Sequence, residues 1–173
     1  GQFTEFAVLG EMPVHLLSPA AFSVSPQAIS LNQARFSLSG GFANIDQLHW
    51  TPGDWKTQGN FSGIALLPGS QQASNQSQLQ LGGHWNFVST QQLTGDLKIF
   101  REQGDWYLPG EVPQPLGMEK LQLMVTAERG KLISEFKLFS QSIGSATADL
   151  TMPIKQSGSG WSISRESALH GKA

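Results

Sequence analysis

The sequence offers few residues whose type and spacing could support catalysis or metal binding. Histidine, the commonest metal ligand, occurs at four isolated positions that form no HxH or HExxH pattern: His15, His49, His84 and His170. A metal site would have to be assembled by the fold from distant segments. GxSxG, GxxxxGK[ST] and GxGxxG are absent, which removes the nucleophile elbow and both phosphate-binding loops. We therefore predict no enzyme, no metal and no cofactor.

One pair of carboxylates lies close enough in sequence to suggest acid–base chemistry. Glu102 and Asp105 flank a Gly-containing turn, and two convergent carboxyl groups are what general acid–base hydrolysis requires. Charges gathered at the end of a hairpin are ordinarily solvated, however. We interpret this pair as solvated charges rather than as catalytic groups.

The composition excludes several classes of partner and site. Only 14% of the 173 residues are charged and the net charge is −2, so the chain has no basic surplus with which to neutralise nucleic-acid phosphates. It has no cysteine, which excludes disulfides, thiolate zinc sites and a Cys nucleophile. Gln, Ser, Thr and Asn take the place of the missing charges, and these residues suit the solvated face of a sheet better than exposed helices.

Strict alternation of apolar and polar residues predicts an all-β chain. Leu79, Leu81, Trp85 and Phe87 alternate with polar residues, and Gly83 falls on the apolar side, where it leaves room for a large neighbour. The same alternation recurs after residue 93, from 121 to 138, from 146 to 152 and at 161–163. Spacings of roughly 10 to 14 residues with Gly-containing turns indicate antiparallel hairpins, because parallel crossovers need about a dozen or more residues between strands.

No compositional break divides the chain, so we predict that residues 1–173 form a single β segment. The first residues carry neither an initiator Met nor the pattern of a signal peptide, and we expect the chain to be a section of a longer protein. Two polar or proline-containing tracts predict loops, at about 68–77 and 108–117.

The alternation leaves two interpretations of the apolar face open. Large apolar residues on one face of a sheet form the core of a closed β-sandwich. Alternatively, they line an open groove that takes a lipid tail, because contiguous exposed apolar surface marks a binding site.

Four strand and turn motifs follow one another in a characteristic order. The most specific stretch is Leu-Gly-Gly-His-Trp-Asn-Phe at 81–87, followed by Leu-Thr-Gly-Asp-Leu-Lys-Ile-Phe-Arg-Glu-Gln-Gly-Asp at 93–105. Leu-Ser-Gly-Gly-Phe at 38–42 precedes them, and Pro-Leu-Gly-Met-Glu-Lys-Leu-Gln-Leu follows at 115–123. This order resembles the central to C-terminal part of the TamB family (translocation and assembly module subunit TamB, AsmA-like superfamily), and the resemblance spans most of the chain.

The resemblance implies an extended, curled antiparallel sheet, a β-taco or β-groove, whose concave face is apolar. Family members bridge the periplasm of Gram-negative bacteria, conduct phospholipid and act with an outer-membrane Omp85-type (TamA-like) barrel in outer-membrane protein assembly. The inner-membrane anchor would lie outside this segment. We expect phospholipid acyl chains to contact the apolar residues that face the interior: Leu79, Leu81, Trp85, Phe87, Leu97, Ile99, Leu121, Leu123, Val125, Phe136, Leu138 and Leu150.

Two other functions remain open at the level of sequence. Open sheet edges suit a chaperone or scaffold surface that binds β-barrel clients by edge-strand pairing, and they also suit end-to-end self-association of the segment. A closed sandwich that binds carbohydrate would instead bury its aromatic residues and stack any exposed Trp on sugar.

Overall fold

The computed structural model describes residues 1–8, 13–66, 78–108, 110, 112–157, 160–163 and 170–172. Within these ranges the chain consists of strands, turns and irregular segments. None of the described residues belongs to a helix long and apolar enough to cross a membrane. The predicted loop at 68–77 lies outside the described residues.

The described residues form sixteen strands, of which eight are ten residues or longer. In chain order they are β1 (Gln2–Phe3), β2 (Ala7–Val8), β3 (Val14–Leu16), β4 (Ala20–Ser25), β5 (Ala28–Leu38), β6 (Gly41–Thr51), β7 (Asp54–Ala65), β8 (Gln80–Ser89), β9 (Leu93–Gln103), β10 (Tyr107–Leu108), β11 (Gln114–Pro115), β12 (Met118–Glu128), β13 (Lys131–Ser140), β14 (Gly144–Ser157), β15 (Gly160–Ile163) and β16 (His170–Lys172).

The strands form one antiparallel sheet of fourteen, with the order β1-β4-β5-β6-β7-β8-β9-β12-β13-β14-β15. Beside this path, β3 pairs with β2 and β5, and β16 pairs with β14, while β10 and β11 form a separate hairpin between β9 and β12. In the part of the chain that the structure describes, β1 and β15 do not pair with each other, so the sheet is not closed into a barrel. The predicted all-β, antiparallel class is confirmed.

Turn chemistry explains the tight hairpin between β12 and β13. Glu128 pairs with Lys131, so only Arg129 and Gly130 lie in the turn, and both have positive φ, 49° and 71°. Two successive left-handed residues are what a two-residue turn needs to match the right-handed twist of its strands. The antiparallel hairpins with Gly-containing turns that the sequence predicted are confirmed at this position.

The pairing register gives the sheet one apolar face. Partners across the sheet share a face, and one row of partners runs Phe61, Gly83, Ile99, Leu123 and Phe136 from β7 to β13. We call the face that carries this row the inner face. The neighbouring row, on the outer face, is polar and contains Asn60, His84 and Lys98.

The sheet curls toward its inner face. Trp161 of β15 donates from its indole Nε1 to Ser89 Oγ of β8 at 2.8 Å. These strands lie five positions apart in the sheet order, which corresponds to roughly 24 Å in a flat sheet. A side-chain contact over that separation requires strong curvature, and an extended, curled sheet was the predicted shape.

Two aromatic rings on the inner face lie over glycines of the neighbouring strand. A Cβ at Gly83 would be 2.6 Å from Phe61 Cζ, and a Cβ at Gly59 would collide with the Trp85 indole. The Phe61 and Trp85 rings stack at 6.5 Å with an interplanar angle of 29°. The space that the sequence predicted at Gly83 is therefore occupied by Phe61, and the rings lie flat against the sheet.

We expect Gly83→Ala to lower the free energy of unfolding by about 1–3 kcal/mol, because the new methyl group meets both Phe61 and the Lys98 carbonyl oxygen. Gly160→Ala is the matched control, since the nearest atom to its Cβ is Ser157 O at 4.0 Å, and we expect a change within about 0.5 kcal/mol. Urea denaturation measures both values. Equal stability of the two variants would contradict the ring-over-glycine packing.

Candidate functional site

The predicted groove residues come together on the inner face. The register and the two-residue periodicity of each strand place eleven of the twelve on this face. Leu79, the twelfth, immediately precedes β8 and is 2% exposed. Their role in binding lipid stays a prediction.

The inner face is apolar without being sealed. All eleven strand residues of the predicted set are half-buried, and none is fully buried. The five tryptophans are half-buried as well: Trp50, Trp55, Trp85, Trp106 and Trp161. The dry core of a sandwich would remove such large side chains from water almost completely. Within the described ranges the only other sheet is the short hairpin of β10 and β11, and the residues of the inner face keep accessible apolar surface.

One end of the inner face is filled by the protein's own side chains. Leu93, Ala127 and Ile154 are buried together where β9 begins and where β12 and β14 approach their last residues. We call them, with the four side chains packed against them, the terminal cluster; the four are Trp55, Phe87, Leu132 and Trp161. The cluster draws on strands from β7 to β15 and includes the indole that is bonded to Ser89. It closes the inner face at this end.

Two of the inner-face indoles donate their N–H groups to side chains of the sheet. Trp85 Nε1 donates to Thr57 Oγ1 at 3.0 Å, and Trp161 Nε1 donates to Ser89 as described above. A bound molecule would therefore meet ring carbons rather than unpaired donors at these positions. The arrangement suits hydrocarbon more than a polar ligand such as sugar.

Asp105 ties the segment between β9 and β12 to the sheet. Its Oδ1 accepts hydrogen bonds from the backbone N–H groups of Trp106 at 2.8 Å and Met118 at 3.1 Å, and its Oδ2 accepts from Gly117 N–H at 2.8 Å. Three donors are thus met by one half-buried carboxylate. Charge-assisted hydrogen bonds are the stronger ones, and this carboxylate is a structural anchor rather than the solvated charge that the sequence predicted.

Glu102 crosses one strand to reach the next. It extends over Gly82 of β8, where a Cβ would collide with its carboxylate, and accepts from Ser62 Oγ and Gly63 N–H on β7, each at 2.7 Å. The register of β7 against β8 shifts between Phe61 and Ile64. Glu102 therefore accepts from the Gly63 N–H, which lies in this bulge, and from the neighbouring Ser62 hydroxyl. Its partners are different from those of Asp105.

The histidines lie apart in the structure. Ser30 Oγ and His49 Nδ1 are 2.8 Å apart, and His84 Nε2 lies 3.5 Å from Asp96 Oδ2 on the exposed outer face. Among the described residues there is no group of three or more His, Asp or Glu side chains arranged to hold a metal ion.

A second apolar feature of the inner face was not found from the sequence. Close to the N-terminal edge of the sheet is a hollow of about 140 Å³. Its walls are entirely apolar: Phe6, Leu16, Ala20, Leu31 and Phe36. The two phenylalanine rings pack edge to face at 6.2 Å. Because β2 and β3 are only two and three residues long, alternation could not reveal this part of the sheet.

Comparisons of the chain with models of known protein families, with curated proteins and with solved structures find no match. The resemblance to the TamB family therefore rests on the sequence motifs alone.

Asp105→Ala should lower the free energy of unfolding by about 1–3 kcal/mol, because it leaves three backbone donors without their acceptor. Asp149→Ala, at an exposed position of the outer face, is the control and should change stability by less than about 0.5 kcal/mol. Chemical denaturation monitored by tryptophan fluorescence compares the two. A loss no greater than that of the control would refute the anchoring role.

Proposed function

We propose that the inner face is one section of a groove that binds the acyl chains of phospholipid and lets them move between the inner and outer membranes. In this proposal the chain belongs to a longer periplasmic protein of the kind that the family resemblance implies. That protein would also support outer-membrane protein assembly with an Omp85-type barrel.

The observation that carries the proposal is the incomplete burial of a continuous apolar face. Single exposed apolar residues are normal on protein surfaces, whereas contiguous apolar patches mark binding sites. Here the row from Phe61 to Phe136 stays apolar across β7, β8, β9, β12 and β13 and reaches Ala148 of β14, whereas Arg101 of β9 interrupts the neighbouring row that contains Leu81. Hydrocarbon laid on these rows would remove from water a surface that the chain itself leaves partly exposed.

The dimensions of the face suit an acyl chain. Six neighbouring strands span roughly 24 Å along the curved sheet, whereas one leaflet contributes about half of a hydrocarbon core roughly 30 Å thick. Each methylene moved from water onto the face contributes about 0.8 kcal/mol. This term is non-directional, so it favours retention of lipid without fixing the chain at one position.

A second candidate function rests on the open sheet. Because β1 and β15 do not pair in the described part of the chain, both edges are available to an extended segment of a β-barrel client. Edge pairing uses backbone groups and does not depend on the inner face. Substitutions on the inner face should therefore leave edge pairing intact, and this difference separates the two candidate functions.

The direct test is Leu123→Arg. Leu123 lies in the central row of the inner face between Ile99 and Phe136, and a guanidinium there would place charge where the acyl chain is proposed to lie. We expect affinity for a fluorescent fatty-acid probe to fall at least tenfold. Phospholipid that co-purifies after expression in a Gram-negative periplasm, detected by native mass spectrometry and organic extraction, should be reduced.

Met124→Arg is the matched control, because Met124 is the next residue, lies on the outer face and is 37% exposed. Circular dichroism establishes that both variants are folded. Unchanged probe and phospholipid binding by folded Leu123→Arg would overturn the proposal. A peptide taken from a β-barrel client should still bind folded Leu123→Arg, because edge pairing does not use the inner face. Loss of that binding would contradict edge pairing as a separate function.

A further inference from the structure

The apolar hollow near the N-terminal edge lies on the same inner face as the predicted groove. Phe36 pairs with Leu16 of β3 and with Ala43 of β6, and Ala43 pairs with Phe61 of β7. This row therefore joins the hollow to the row that contains Leu123. A molecule that lies along the inner face can reach the hollow without leaving apolar surface.

The hollow has the size and chemistry for a short length of hydrocarbon. A cavity of about 150 Å³ lined by Leu, Ile and Phe stays dry and admits a benzene-sized molecule, about six carbon atoms. The hollow is about 140 Å³ and its lining contributes no polar surface. A carboxylate or phosphate placed there would lose its hydration without gaining a hydrogen bond. Only the methyl end of an acyl chain suits it.

The walls show how the space arises. Ala20 is 1% exposed and is the smallest lining residue, so its methyl group leaves the volume open. Phe6 is 46% exposed and packs edge to face against Phe36, which places it between the hollow and solvent. Hydrocarbon in the hollow would cover ring surface that Phe6 now presents to water.

We propose that this hollow binds the terminal methyl segment of an acyl chain, with about five or six carbons inserted. The inference rests on the proposed function and adds to it a fixed end point for one chain. Each carbon lost from a chain that fills the hollow should weaken binding about fourfold.

The test uses palmitate labelled with ¹³C at its terminal methyl group, bound to the purified chain and observed by NMR. We expect nuclear Overhauser contacts from the labelled methyl group to Leu31 and Phe36. Ala20→Leu fills the hollow and should abolish these contacts and weaken palmitate binding at least tenfold. Ala21→Leu is the matched control, because Ala21 is the next residue, is exposed and pairs with Asn32 on the outer face; it should change neither.

Phe6→Ala provides a second variant in case Ala20→Leu does not fold. It removes a wall at a half-exposed position, so the sheet should persist while the methyl contacts weaken. Contacts from the labelled methyl group to Phe136 or Leu150 instead of Leu31 would show that the methyl end does not bind in the hollow. That result would overturn this inference and would still support the proposed lipid groove. Absence of palmitate binding by the unmodified chain would overturn both.

Discussion

The contact between Trp161 and Ser89 joins two strands that are five positions apart in one sheet. A single β-layer with one apolar face has no second layer to cover it, and curling is the remaining way to remove that face from water. The terminal cluster achieves this where the indole reaches β8, and it contains three of the seven buried apolar residues in the described ranges. The rest of the inner face follows the same curvature, but no cluster of buried side chains fills it within the described ranges.

The other interactions on the sheet keep this partly filled shape regular. Phe61 and Trp85 lie over glycines of the neighbouring strand, which covers backbone with ring carbons and keeps the layer thin. Glu102 accepts hydrogen bonds from donors in the bulge of β7. Asp105 accepts hydrogen bonds from backbone N–H groups of the segment before β12. Without the two carboxylates these donors would lack their partners. An unmet backbone donor away from water costs free energy comparable to a lost hydrogen bond. The two carboxylates that most resembled a catalytic pair therefore preserve the geometry of the sheet.

The sequence was most informative where alternation is unbroken. In β8, β9 and β12 to β14, side chains at every second position predicted both the strands and the face they share, because period two is a local property of the backbone. The short hairpin of β10 and β11 was not predicted, since the segment 108–117 was expected to be a loop. Alternation fails at Gln33, whose φ is 53°: Leu31 and Ala34, three residues apart, both lie on the inner face through their partners Leu48 and Ile45. The alternation at the beginning of β5 is therefore out of step with that of the residues after Gln33. The bond from Trp161 to Ser89 joins residues 72 apart, and no local pattern encodes a contact of that range.

The asymmetry of the inner face constrains how a hydrocarbon chain could lie on it. The terminal cluster occupies the face at one end of the strands, so a chain directed along the strands toward that end would have to displace packed side chains, including an indole held by a hydrogen bond. Across the strands the rows continue from Phe136 to Phe36 through partly exposed side chains and end at the apolar hollow. Burial of hydrocarbon on these rows requires no such displacement. A hydrocarbon chain on this face would therefore displace the fewest packed side chains if it lay across the strands, from the C-terminal part of the sheet toward its N-terminal edge.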